Sequence, residues 1–166
     1  MTQEPKITAA LIYDFDGTLA PGNMQEYDFI PAVGQSNREF WNDANSLAEE
    51  QDADMTLTYM AKMLEAARSR KLSLRREAFQ ESGRNIRLFP GVKEWFGRIN
   101  AYAAARGVRV LHYINSSGLK EMIEGTPIAP EFRKIYACSF LYDVDGIAYW
   151  PAVAVNYTNK TQFIFK

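Results

Sequence analysis

Asp14 and Asp16 stand two residues apart, after the apolar run Ala9-Ala10-Leu11-Ile12-Tyr13 and before Gly17-Thr18-Leu19. In an extended chain, residues two apart point to the same side, so the two carboxylates converge on one site. Such a pair can hold Mg²⁺, and one carboxylate can attack phosphorus while the other handles the proton. Gly17 lets the backbone turn away tightly without a side chain in the site. The plain alternative is that Asp-x-Asp-Gly is simply a turn. A calcium loop fails by spacing, because with Asp14 and Asp16 at its third and fifth positions the closing Glu would have to stand where the chain has Asn23. Asp143-Val144-Asp145-Gly146 repeats the same pattern between two extended apolar stretches, followed by Ile147 rather than Thr. It reads as a hairpin turn without a catalytic role.

The elements that must position these residues follow from periodicity. Thr8 to Phe15 reads as a short buried strand, which puts the Asp pair at a strand's C-terminal end, where open α/β sheets place their ligands. Gly17, Pro21 and Gly22 mark an irregular loop. Ser36 and Glu39 form a capping box, followed by the stripe Phe40, Trp41, Ala44, Leu47 and Ala48. A second helix starts after Asp54 and buries Met55, Tyr59, Met60, Met63, Leu64 and Ala67. A third runs from about Ser73 to Gly83, with the glycine at C′. The segment between Met24 and Arg87 carries no strand pattern and reads as an all-helical insertion. Pro90 suits the first turn of a helix whose Val92, Trp95, Phe96, Ile99, Tyr102 and Ala103 face one way until Gly107. Val108 to Asn115 is a second strand, followed by a Ser-Ser-Gly turn and a helix to about Gly125. Lys134 to Leu141 is a third strand, Ile147 to Val155 is its extended partner, and Thr158 to Lys166 begins a last helix. Strand, helix, strand, helix, strand implies parallel pairing through right-handed crossovers.

The composition narrows the classes of function. A chain of 166 residues, 47% hydrophobic and 23% charged, fits one globular domain or one domain with an insertion. Nineteen Lys and Arg against twenty Asp and Glu give a net charge of −1, so no global basic field recruits nucleic acid or an anionic membrane. The single cysteine, Cys138, excludes an intrachain disulfide and a cysteine metal cage, and a reduced, cytoplasmic compartment follows. Met1 to Ala10 has no apolar signal core. The longest apolar stretch, Ile147 to Val155, is interrupted by Pro151 and falls well short of the ~20 residues of a membrane span. His112, the sole histidine, lies between Leu111 and Tyr113 in a strand and reads as a packed residue. The cluster Arg68, Arg70, Lys71, Arg75 and Arg76 reads as a solvated face, with attraction of an anionic substrate as the alternative, and Met55, Met60 and Met63 read as core, with a flexible substrate-facing wall as the alternative.

Leu11 to Leu19 resembles the first motif of the haloacid dehalogenase (HAD) superfamily, an apolar strand followed by Asp-x-Asp-Gly-Thr-Leu. The resemblance implies that Asp14 is a nucleophile that becomes an aspartyl phosphate. It implies that Asp16 protonates the leaving group and later activates water. In that superfamily the second Asp marks phosphatases and phosphotransferases, so phosphoryl transfer is implied over C–halogen hydrolysis. Val110 to Gly118 is similar to the second motif, a strand ending in Ser or Thr whose hydroxyl and nearby N–H groups bind a phosphoryl oxygen. That assigns Ser116, or Ser117 if the register slips by one. Phe89-Pro90-Gly91-Val92 resembles the family's re-entry into the core after a cap. Lys160, near a predicted helix start, is similar to the lysine of the third motif, which neutralises nucleophile and phosphate. A solvent-exposed lysine is the alternative there, and Lys166 is the poorer candidate.

The fourth motif, Gly-Asp-x-x-x-Asp, which supplies a further Mg²⁺ carboxylate, has no counterpart after Lys160. The resemblance therefore implies a Rossmann-like α/β core, residues 1–22 and 88–166, incomplete at its C-terminus, with an all-helical cap at 23–87. It implies Mg²⁺-dependent hydrolysis of a small phosphorylated metabolite, the metal held by Asp14 and by Asp16 through its backbone carbonyl. Turnover by this chain is expected to be weak, and a truncated, non-catalytic product that keeps the phosphate-site geometry is the alternative. Thr8 to Phe15 would then be a sheet edge, so that the chain either self-associates through it or is only marginally stable.

Overall fold

The structure is a computed structural model that describes residues 7–165. Lys166 lies outside the described residues. The framework is a sheet of β1 (Ile7–Tyr13), β2 (Val108–Leu119), β3 (Phe132–Tyr142) and β4 (Ala148–Val153), hydrogen-bonded in that order. β1 runs parallel to β2, with Ile12 opposite Tyr113, and β2 runs parallel to β3, with Asn115 opposite Tyr136. β4 returns antiparallel to β3. Asp143 makes the turn between them, its carboxylate accepting from Asp145 N–H at 3.0 Å and Ile147 N–H at 2.9 Å. The hairpin reading of the second Asp-x-Asp-Gly is therefore correct. Among the described residues β1 is an edge strand, and α5 (Val92–Ala104) packs against β2.

Between β1 and α5 the chain is helical, with α1 (Phe29–Ala32), α2 (Asn37–Glu50), α3 (Met55–Ser69) and α4 (Arg76–Arg84). Ser36 caps α2 through the full capping box, and Asp54 caps α3 by accepting from Thr56 N–H and Leu57 N–H, both at 2.9 Å. These caps satisfy helix-end donors where apolar periodicity begins, which is why both helix starts were legible. Phe29, Ile30, Phe40, Met60, Met63, Ala67 and Phe79 join Phe15, Leu119, Met122 and Phe140 in one continuous core. Among the described residues no helix is long and apolar enough to cross a membrane.

Several expectations need correction. Gly83 is not a C′ residue but lies inside α4, where a Cβ would come within 2.0 Å of the Met122 carbonyl oxygen. It is glycine so that α4 can approach α6 (Lys120–Glu124) backbone to backbone. Pro90 precedes the helix instead of opening it, because Gly91 is the N-cap of α5. Tyr102 is 58% exposed and Met55 49% exposed, so neither is core. Ser116 to Gly118 continue β2 rather than form a turn. Arg76 is only partly solvated: it reaches the buried Glu121 at 3.5 Å and stacks over the Tyr142 ring at 4.2 Å.

Candidate active site

β1 ends at Tyr13, and Phe15 then buries its ring completely in the core. With Phe15 turned inward, the alternation of an extended chain places Asp14 and Asp16 together on the other side. The carbonyl of Phe15 accepts from Thr18, Leu19 and Ala20 N–H at 3.2, 2.8 and 3.2 Å, a tight turn that directs the chain away from the pair. Asp16 Oδ1 accepts from Met24 N–H at 3.0 Å, which fixes the carboxylate from the first residue of the helical segment. Burial pushes the Asp16 carboxyl up to about 7. The neighbouring charges of Asp14 and Glu26 add to that, against the Met24 N–H and Lys160.

β2 brings the second group. Between Asn115 paired with Tyr136 and Leu119 paired with Cys138, β2 advances four residues while β3 advances two. The surplus pushes Ser116-Ser117-Gly118 out of the ladder towards Asp16. A Cβ on Gly118 would meet Met24 Cε at 2.1 Å and Asp16 Oδ2 at 2.9 Å, so any side chain here would have to displace both. Ser116 is buried, its Oγ accepting from Gly118 N–H at 3.0 Å, whereas Ser117 is half-buried. The Ser117 carbonyl is held from beneath by the Tyr59 hydroxyl at 2.8 Å and the Cys138 thiol at 3.2 Å.

Lys160 opens α7 (Lys160–Ile164), and its Nζ lies 2.5 Å from Asp14 Oδ2. Its position is set from below by Asn115 Nδ2, which donates to the Lys160 carbonyl at 2.7 Å. Asn156, just before α7, donates to Asp54 at 2.8 Å and so ties this loop to the start of α3.

All five residues singled out from sequence, Asp14, Asp16, Ser116, Ser117 and Lys160, line one cleft of about 250 Å³. Asn23, Gln25, Trp41, Asn45, Met55, Thr56 and Tyr59 form its other wall. Met55 is where the alternative of a substrate-facing wall holds, while sequence reasoning missed the rest of this wall, along with Asn115 and the Tyr59 anchor. The one available signal was Met55, the position of the α3 stripe nearest its N-cap and so nearest the site. Asp143 and Asp145 do not line the cleft.

Asp14 and Asp16 are hard oxygen donors facing one space, and their mutual repulsion is part of what raises Asp16. A divalent cation between them relieves that repulsion, so the pair fits Mg²⁺. Among the described residues no group of three or more His, Cys, Asp and Glu is placed to share a metal.

No family model matches the chain. A protein of Borreliella burgdorferi whose description gives no function is 33% identical over 142 residues, which is 80% of this chain and 50% of that protein. The chain thus spans about half the length of the curated relative it matches. Among solved structures, a HAD-family hydrolase from Salmonella enterica serovar Typhi superposes with a TM-score of 0.65 at 14% identity, covering 94% of this chain and 49% of that one. A phosphoserine phosphohydrolase-like protein from Francisella tularensis gives 0.58 at 20% identity, covering 97% and 74%. A probable phosphoserine phosphatase from Vibrio cholerae gives 0.58 at 10% identity, covering 98% and 47%. The parallel β1–β2–β3 ladder, the helical segment after β1 and these superpositions make this the α/β fold of the HAD-family hydrolases.

Proposed function

We propose that the chain is a phosphate-monoester hydrolase that uses Mg²⁺ and an aspartyl-phosphate intermediate on Asp14, with residues 1–22 and 88–166 as core and 23–87 as cap. The observation that carries this reading is the meeting of Asp14, Asp16, Ser116, Ser117 and Lys160 in one cleft from three separate segments. An Asp14 carboxylate oxygen attacks phosphorus, forming the O–P bond as the P–O bond to the alcohol breaks, and Asp16 gives its proton to the departing oxygen. Water then attacks the phosphorus of the acyl phosphate, Asp16 takes the water's proton, and Asp14 and inorganic phosphate are released. A carboxyl that ionises near neutrality suits both steps. Lys160, already on Asp14, and the hydroxyl and N–H groups of Ser116 and Ser117 meet the phosphoryl oxygens. When bound, Mg²⁺ held by Asp14 and the Asp16 carbonyl supplies positive charge to the same oxygens.

The donor count favours a second reading, a phosphate-site protein with little or no turnover. Two protein ligands hold so strongly hydrated an ion weakly, in the millimolar range or worse, an estimate of order only. Turnover is then about 100-fold below a site with its full ligand set, equivalent to about 3 kcal/mol of transition-state stabilisation. Hydrolysis of an aryl phosphate across a Mg²⁺ titration tests both readings. Mg²⁺-dependent turnover that Asp14→Asn abolishes and Asp143→Asn leaves intact supports hydrolysis. Equal losses from both substitutions contradict the assignment of Asp14, and no turnover at any Mg²⁺ concentration selects the second reading.

A further inference from the structure

The cleft wall contributed by the helical segment is organised around one residue that does not itself line the cleft. Glu26 Oε1 accepts from Asn23 Nδ2 at 2.7 Å and from Trp41 Nε1 at 2.8 Å, fixing two cleft-lining side chains from behind. Among the described residues no cation lies within ion-pair distance of Glu26. The rest of that wall is amide, hydroxyl, phenol and thioether, and Lys160, the cation lining the cleft, is already paired with Asp14. Gln25, buried on the same wall, has an amide oxygen without a hydrogen-bond partner, an acceptor suited to a ligand donor.

We propose that Glu26 is a specificity-determining positioning residue. Through it the cleft takes the phosphate monoester of a small alcohol bearing hydroxyl or ammonium donors and rejects one bearing a carboxylate. This rests on the phosphate-site reading above. A cleft of about 250 Å³ that also holds a phosphoryl group leaves room for an alcohol of only a few carbons. With the Asn23 and Trp41 donors turned onto Glu26, that part of the wall is backed by a negative charge, which favours ligand donors and repels an anion.

The test uses the full chain with Mg²⁺ and follows the Trp41 indole N–H by ¹H–¹⁵N NMR, assigned with Trp41→Phe. The ligands are inorganic phosphate, glycerol 1-phosphate, phosphoethanolamine and phosphoglycolate. Glycerol 1-phosphate and phosphoethanolamine are expected to bind about tenfold more tightly than phosphoglycolate, the scale of one like-charge repulsion on a half-exposed wall. Glu26→Gln keeps an oxygen to accept from Asn23 and Trp41 but removes the charge, and is expected to close that gap to about twofold. Phosphoglycolate binding as tightly as glycerol 1-phosphate in the unmodified chain overturns the inference, as does a gap that survives Glu26→Gln. If inorganic phosphate binds while the esters rank otherwise, the specificity inference fails and the phosphate site stands. If inorganic phosphate also fails to move the resonance, the phosphate-site reading fails and the inference falls with it.

Discussion

Replacing Tyr13 by Phe removes one oxygen from a relay of side chains directly beneath the acidic loop. Trp95 Nε1 donates to the Tyr13 hydroxyl at 2.9 Å, and that hydroxyl lies 2.9 Å from His112 Nδ1. His112 Nε2 lies 2.9 Å from Asn100 Oδ1. An amide oxygen only accepts, so Nε2 carries the ring proton and Nδ1 accepts from the Tyr13 hydroxyl. Phe keeps the edge-to-face contacts with Phe96 at 5.9 Å and Phe132 at 6.1 Å, so the cost is polar. Two hydrogen bonds at about 1 kcal/mol each are lost, and a bare imidazole nitrogen adds a penalty of similar size. His112 is only 4% exposed, so water cannot replace the lost partner without disturbing the packing. The sum is about 2–3 kcal/mol, or about 4–12 °C in Tm for a chain of this size. Urea unfolding followed by far-UV circular dichroism measures it, and amide exchange at Asp14 reports whether the end of β1 loosens with it. A loss below about 0.5 kcal/mol would refute the relay, since that is the range of an ordinary surface substitution.

Burial holds His112 below its ordinary 6.5, outweighing the charge of Glu131. The folded chain therefore binds that proton less readily than the unfolded one, and this stability is full above pH 6.5 and lost as pH falls below it. The urea midpoint is expected to fall more steeply from about pH 7.5 to 5 in the unmodified chain than in His112→Gln, and equal slopes would count against it. Gly83→Ala forces α4 off α6 and is expected to cost about 3 kcal/mol. Gly97→Ala, in a helix with nothing within 4 Å of the new methyl, should instead stabilise by about 0.5–1 kcal/mol, and similar midpoints for the two would contradict the packing argument. Among the described residues β1 is the sheet's edge strand, and Ile7–Tyr13 contains no charge or proline to guard it, so sedimentation at tens of micromolar is expected to show association. A monomer with Leu11–Tyr13 amides protected to the global limit would overturn that expectation.

Asp14, Asp16 and the two helix caps were legible because each is a local pattern: alternation on a strand, or an oxygen three residues before the donor it accepts from. The parallel order of β1, β2 and β3 followed from the alternation of strand and helix. Contacts between distant segments were not legible. Met55 and Tyr102 lie on apolar stripes, but a stripe does not say where its partner ends, and both emerge beyond it. Gly83 looks like a helix stop in one dimension and is a helix crossing in three. Ser116-Ser117-Gly118 has turn composition, yet the ladder beside it keeps it extended and bulged. Arg76 looked solvated because nothing local announces that the buried Glu121 lies across from it. The wall built on Glu26 and Trp41 was invisible for the same reason, since the two residues meet only when α2 packs over the acidic loop.

In the proposed mechanism Asp14 accepts the phosphoryl group. The direct measurement is rapid acid quench of the chain with a ³²P-labelled small phosphate monoester and Mg²⁺, followed by counting of protein-bound label and its release by hydroxylamine. Hydroxylamine-labile label on the unmodified chain and on Asp143→Asn, and none on Asp14→Asn, is the expected result. Label that persists in Asp14→Asn, or phosphate released in a full single turnover with no label bound at any quench time, would contradict it.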